Sequence, residues 1–119
     1  MLKNGLGAEL STPGFYCRVS IDTKSAFNKG IGSANVGGFW GPELKFAGFD
    51  NLIVSGKAEK PVYLWIHNGE IEIKDAALIW GKTTWETEKL IRDELGDERV
   101  RVAVIGPAGE SKVRSACII

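Results

Sequence analysis

Oxygen donors, glycines and aromatic rings cluster in Ser33-Ala34-Asn35-Val36-Gly37-Gly38-Phe39-Trp40-Gly41-Pro42-Glu43-Leu44-Lys45-Phe46-Ala47-Gly48-Phe49-Asp50, a combination that suits contact with a ligand. Asn35 offers a side-chain amide and a backbone carbonyl, oxygen donors suited to a hard cation and the phosphates it neutralises. Gly37 and Gly38 have no side chain to hold a ligand off, so an anionic group can approach the main chain there. The same glycines would also serve close packing of a helix on a sheet, and the residues alone leave both readings open.

Other motifs carry less. Gly81-Lys82-Thr83 has the ending of a phosphate-binding loop, but Ala76 stands where that loop needs its first glycine, and no apolar strand leads directly into it. Gly5-Leu6-Gly7 lacks the third spaced glycine of a dinucleotide fingerprint. There is no Gly-x-Ser-x-Gly elbow, and a lone His67 supports no nucleophile–base triad. Cys17 and Cys117 lie far apart with no Cys-x-x-Cys pair, so with one histidine the chain builds no zinc or iron–sulfur site. Both thiols read as buried and reduced; the alternative is a disulfide closing the chain, which two free thiols on titration would exclude.

The elements that must position Asn35 and the glycines follow from local pattern. Residues 1 to 13, with Gly5, Gly7 and Pro13, read as a loosely held arm. Phe15 to Ile21 reads as a strand, Asp22 to Gly30 as a turn, and Ile31 to Asn35 as a second strand leading into the glycines. Pro42 and Glu43 suit a helical first turn and Gly48 ends it, giving a helix from about Phe39 to Ala47. Its expected buried side is Leu44 and Ala47, with Phe39 or Phe46. Asp50 to Gly56 reads as a buried strand.

Asn68-Gly69 between two alternating runs predicts a two-residue hairpin turn, which fixes the register. His67 then faces Glu70, Ile66 faces Ile71, Trp65 faces Glu72, Leu64 faces Ile73 and Tyr63 faces Lys74. Leu64, Ile66, Ile71 and Ile73 form the face expected to be buried, and His67 is expected to be a solvated cross-strand partner. Thr83 to Glu86 fits a capping box opening an amphipathic helix through Leu95, with Glu88 and Arg92 four apart and Gly96 past the end. Trp85, Leu90, Ile91 and Leu95 are its apolar residues. Arg99 to Ile105 and Val113 to Ile119 read as strands, with a turn at 106–109. Helix, glycine, acidic residue, strand, turn, strand describes both 43–66 and 88–119, a faint internal repeat. The fold class is therefore α+β, with mixed or antiparallel sheets and two short helices.

Composition bounds the function. The chain's 119 residues suffice for one modest domain, and 15 Lys plus Arg against 15 Asp plus Glu leave no basic stripe for nucleic acid. Fifteen glycines are nearly double the usual share of about 7%, clustered at turns and around the opening stretch. No apolar run approaches the roughly 20 residues of a membrane span, and Met1-Leu2-Lys3-Asn4-Gly5 lacks a secretory core, so the expected setting is cytoplasmic with no membrane partner. Ser115-Ala116-Cys117-Ile118-Ile119 stops inside an apolar run, which reads as part of something longer.

The stretch Asn35 to Asp50, followed by Gly56-Lys57-Ala58-Glu59-Lys60-Pro61-Val62-Tyr63, closely resembles the N-terminal domain of tungsten-dependent aldehyde ferredoxin oxidoreductases. Ile71-Glu72-Ile73-Lys74-Asp75-Ala76, Ile79-Trp80-Gly81-Lys82, Glu86-Thr87-Glu88 and Ile105-Gly106-Pro107-Ala108-Gly109-Glu110 resemble it too. The resemblance runs from about Arg18 to the last residue and is weak over residues 1–17, which makes 18–119 a partial N-terminal domain behind a loosely matched arm.

The resemblance implies a duplicated α+β base on which two pterins holding one tungsten lie. It implies that the Asn35 carbonyl helps hold the magnesium linking the pterin phosphates, that Gly37 and its neighbour Gly38 lie against a pterin, and that Arg18 contacts pterin phosphate. The family usually has small residues before that arginine, where Tyr16-Cys17 stand here. The family reaction oxidises an aldehyde to a carboxylate, with electrons leaving through a [4Fe–4S] cluster to ferredoxin; some relatives reduce aromatic acyl thioesters. The cluster cysteines belong to later domains, so this chain is expected to cradle cofactor in an anaerobe's enzyme without turning over alone. The alternative is a stand-alone, non-catalytic structural or oligomerisation module, and a homo-oligomer is expected because half of a duplicated sheet domain leaves apolar edges open.

Overall fold

The computed structural model describes residues 8–11 and 17–119. In chain order the elements are β1 (Ala8–Ser11), β2 (Arg18–Lys24), β3 (Ile31–Gly37), α1 (Trp40–Phe46), β4 (Asn51–Val54), β5 (Val62–His67), β6 (Glu70–Asp75), α2 (Thr84–Leu95) and α3 (Gly106–Glu110). The strands form a four-stranded sheet of order β3-β2-β1-β4 and a separate β5-β6 hairpin, and every pairing is antiparallel. The class is α+β, as the pattern predicted.

The first sheet departs from expectation at its N-terminal side. The reading of residues 1–13 as a loose arm is corrected at Ala8–Ser11, which pairs with β2 on one side and β4 on the other. Ala-Glu-Leu-Ser has no strand signature of its own, and the two flanking partners place it. Gly5, Gly7, Pro13, Phe15 and Tyr16 lie outside the described residues. β2 begins at Arg18 and runs on through Asp22 to Lys24, residues that looked turn-like. The turn proper spans 25–30, closed by the Ser25 amide donating to the Gly30 carbonyl at 2.8 Å. Polar Asp22 is tolerated mid-strand because it lies on an open face, where the Ser20 hydroxyl donates to its carboxylate at 3.3 Å.

α1 covers the opposite face. Leu10, Ile21, Leu52 and Val54 of the sheet line one cleft with Trp40 and Leu44 of α1, and Val19 and Leu44 are both only 3% exposed. The buried side of α1 is Gly41 and Leu44. Phe39 and Phe46, one of which was expected there, are exposed, and so is Ile53 of the β4 edge strand, which was expected to be buried.

The hairpin has the predicted register throughout, from Val62 opposite Asp75 to His67 opposite Glu70. Asn68 (φ 44°) and Gly69 (φ 82°) take the positive-φ pair such a turn demands. Its faces are reversed in part: Tyr63, on the face expected to be solvated, packs on the buried cluster Ala76, Ile79 and Ile91 together with Leu95 and Val102, while Glu70 and Glu72 on that face are exposed as expected and Ile66 on the other is half-buried. Leu64, Ile71 and Ile73 stand exposed. Tertiary packing of α2 decided which face closed. The hairpin tip meets the end of α1, where the Gly69 amide donates to the Ala47 carbonyl at 2.6 Å.

α2 carries the full capping box at Thr83 and Glu86, a left-handed Gly96 at its end, and the Glu88–Arg92 ion pair at 2.6 Å. Thr87 and Ile91 are buried, but Trp85 is 82% exposed and Leu90 is also outside the core. Neither 99–105 nor 113–119 forms a strand among the described residues. Only Val104 and Ile119 exchange backbone hydrogen bonds, at 2.9 and 2.8 Å, and 106–110 is α3 instead of a plain turn. The repeat therefore holds through helix, glycine and acid, and fails at the strands. Cys17 and Cys117 are both free and both exposed, so neither the buried-thiol reading nor the disulfide survives.

Candidate functional site

Two hydrogen bonds fix what the β2–β3 pair presents. The Gly38 amide donates to the Cys17 carbonyl at 3.1 Å, and the Ser25 amide to the Gly30 carbonyl at 2.8 Å. Antiparallel pairs alternate between hydrogen-bonded and open kinds. With Cys17/Gly38 and Ser25/Gly30 bonded, Arg18/Gly37 and Ser20/Asn35 are open pairs. The N–H and C=O groups of Asn35 and Gly37 therefore point away from β2. Because β3 is the outer strand of the sheet, those groups face outward from its edge.

Side-chain alternation places Arg18, Ser20, Asp22, Asn35 and Gly37 on one face, opposite Val19 and the α1 layer. Arg18 and Asn35 are exposed, and the Arg18 guanidinium donates through Nη1 to the Asn35 side-chain oxygen at 3.0 Å. That bond holds the amide and leaves the other guanidinium donors available. Ser20 and Asp22 extend the polar face and were missed in the sequence; the strand alternation through Asp22 was the signal that could have found them.

The glycines of the opening stretch divide between the two readings left open above. A Cβ on Gly41 would sit 2.7 Å from the Arg18 carbonyl oxygen and 2.9 Å from its carbon, so this glycine exists for the close approach of α1 to β2. Among the described residues, a Cβ on Gly37 or Gly38 would meet nothing within 4 Å. Packing within this domain does not require glycine at 37, and Gly38 has its own backbone reason, a φ of 124°. Open space above Gly37, an outward carbonyl at Asn35 and a fixed cation at Arg18 suit a phosphate-bearing group and its hard cation.

Gly81-Lys82-Thr83 is structural. The Gly81 amide donates to both carboxylate oxygens of Glu110 at 2.9 and 3.0 Å, and Thr83 caps α2. The lone histidine is a cross-strand partner, but its contact is diagonal, Nε2 to the Glu72 carboxylate at 2.9 Å, with its ring stacked on Trp65. No helix among the described residues is long and apolar enough to cross a membrane.

The fold and this edge define a small α+β domain whose outer strand presents open backbone groups beside an arginine. The chain belongs to the aldehyde ferredoxin oxidoreductase N-terminal domain family, which it matches over residues 2–119. It is 54% identical over 102 residues to the tungsten-containing aldehyde ferredoxin oxidoreductase of Pyrococcus furiosus and 52% to that of Pyrococcus abyssi, covering 86% of this chain and 17% of each relative. It is also 37% identical over 120 residues to the WOR-like subunit of an aliphatic sulfonate oxidoreductase from Pyrococcus furiosus, covering 89% of this chain and 19% of that one. Among solved structures it is similar to a chain of the BamBC active-site complex of benzoyl coenzyme A reductase with 1,5-dienoyl-CoA, at a TM-score of 0.90 and 39% identity over 96% of this chain and 18% of the other. The chain thus spans less than a fifth of these relatives, which are oxidoreductases.

Proposed function

We propose that this domain is the cofactor-cradling base of a tungstopterin oxidoreductase that oxidises aldehydes to carboxylates and passes electrons to ferredoxin. Arg18 pairs with a pterin phosphate, the Asn35 carbonyl takes one position on the bridging magnesium, and Gly37 and Gly38 let a pterin lie against the strand edge. The cofactor, when bound, supplies the two-electron chemistry. This chain's own residues bind and orient it, with Arg18 as a permanent positive charge beside a dianion. The [4Fe–4S] cluster, the proton donor and the substrate walls belong to other domains, so the 119-residue chain alone does not turn over. The proposed domain takes in β1, which lies between β2 and β4, so its boundary falls before Ala8 and not at Arg18, and its proposed setting is the cytoplasm of an anaerobe.

The observation that carries this reading is the open space above Gly37 beside an outward Asn35 carbonyl. In an enzyme containing this domain, Gly37→Val and Arg18→Ala should each lower tungsten and pterin content per protein. Unchanged content in both variants removes the reading. Aldehyde assays with a viologen acceptor should find the isolated chain inactive, and tungsten-dependent turnover by it would overturn the claim of incompetence.

A second reading, a non-catalytic oligomerisation module derived from this domain, is favoured by the exposure of Ile73, Ile53 and Phe46. A stand-alone module would carry no tungsten and would self-associate.

A further inference from the structure

The β5–β6 hairpin brings together a donor set that the residue count alone had dismissed. His67, Glu70 and Glu72 each offer one ligand atom, and the three atoms lie within 4.8 Å of one another. The juxtaposition follows from register: the two-residue turn sets His67 opposite Glu70, and strand alternation returns Glu72 to the same face one step on. The imidazole is half-buried and stacks on Trp65 with ring centroids 4.9 Å apart and planes 23° from parallel. Its Nε2 is already turned toward Glu72, at 2.9 Å. A mixed set of one imidazole and two carboxylates, on a rigid turn with one ligand ring held, differs from a solvated patch of acids.

We propose that this hairpin tip binds a borderline divalent cation, zinc being the biological member, through His67 Nε2 and one oxygen each from Glu70 and Glu72. One imidazole nitrogen and two carboxylate oxygens give a three-ligand site that leaves a position for water. The two carboxylates supply the negative charge and the imidazole biases the set away from magnesium and calcium, which take oxygen alone. Binding needs the Glu72 carboxylate to move off the imidazole and the three ligand atoms, within 4.8 Å of one another, to draw together around the ion by side-chain rotation; the backbone register stays. The site is separate from the Arg18–Asn35–Gly37 edge and does not depend on the cofactor reading.

The test uses the 119-residue chain, stripped of metal, titrated with zinc by calorimetry and with cobalt(II) by absorption. Expected are one equivalent bound, a dissociation constant on the order of 1 to 100 μM, and weak ligand-field bands without thiolate charge transfer. His67→Ala should weaken binding about tenfold or more, and Glu70→Gln and Glu72→Gln should each weaken it, with unchanged amide spectra showing the hairpin intact. Cys17→Ser with Cys117→Ser should leave the affinity alone. No saturable binding, binding that persists in His67→Ala with the hairpin intact, or binding lost with the cysteines would overturn the proposal.

Discussion

At the scale of single residues, one motif contains glycines kept for opposite reasons, and substitution separates them. Gly41→Ala places a methyl against the Arg18 backbone, where neither atom can give, so α1 must lift from β2 at a cost of about 1–3 kcal/mol. Gly37→Ala fills open space and should leave stability within about 0.5 kcal/mol. Urea midpoints of the two variants check this; a Gly37→Ala loss as large as that of Gly41→Ala would show that position 37 serves packing. Which of these glycines packs was not legible in the sequence, because the partner surface is the β2 backbone, which has no residue signature. Tyr63 is a second case. Its buried hydroxyl finds no hydrogen-bond partner among the described residues, while burial first and then Glu94 raise its pKa above the ordinary 10.0. Tyr63→Phe should therefore be neutral or stabilising by up to about 1 kcal/mol at neutral pH. Because the folded pKa is raised, the native phenol's contribution is complete below pH 10.0 and is lost as pH rises through the folded value. The wild-type curve should fall relative to Tyr63→Phe in that alkaline window, and parallel melting curves would contradict the assignment.

At the scale of elements, the parts legible in the sequence are those set by local chemistry. The α2 capping box needs Thr83 and Glu86 three apart, and Asn68-Gly69 sets the hairpin register, so both were readable residue by residue. Thr83→Ala should cost about 1 kcal/mol. Glu86 is held below its ordinary value of 4.5, first by the Thr83 backbone N–H and then by the Thr83 side chain. A depressed carboxyl contributes stability that is present above the ordinary value and lost as pH falls through the folded one. Glu86→Gln, which keeps a capping acceptor, should flatten that acid limb while leaving neutral stability close to wild type; an unchanged acid slope in thermal melts would count against it. What failed was non-local. Val100, Val102 and Val104 alternate as a strand would, yet a strand exists only where a neighbour accepts its hydrogen bonds, and among the described residues only the Val104–Ile119 exchange is made. β1 is the converse, a strand with no pattern, made by its two neighbours. The hairpin's faces reversed in part for the same reason, since alternation says which residues share a face and not which face α2 will cover.

At the scale of the whole molecule, the described residues hold two small buried centres, Val19 with Leu44 and the Ala76–Ile79–Ile91 cluster, and many large apolar side chains on several elements stand exposed. Ile73 is 71% exposed, Ile53 73% and Phe46 80%. Isolated exposed apolar side chains are ordinary, but a patterned aliphatic hairpin face left open marks a surface made for contact. The chain matches less than a fifth of its relatives' length, and under the proposed function that surface would meet the enzyme's other domains. In isolation the same surface should pair with a second copy, because self-association is the remaining way to take it out of water. Light scattering should therefore give a mass above 12.9 kDa that rises with concentration. Ile73→Lys, at a largely exposed position of the hairpin, should shift the population toward monomer without lowering the melting temperature by more than a few degrees. A monomer at high concentration would mean that the exposed face is too small or too divided to bind its own copy. An Ile73→Lys variant that melts early instead would show that the face already contributes to the fold of the single chain.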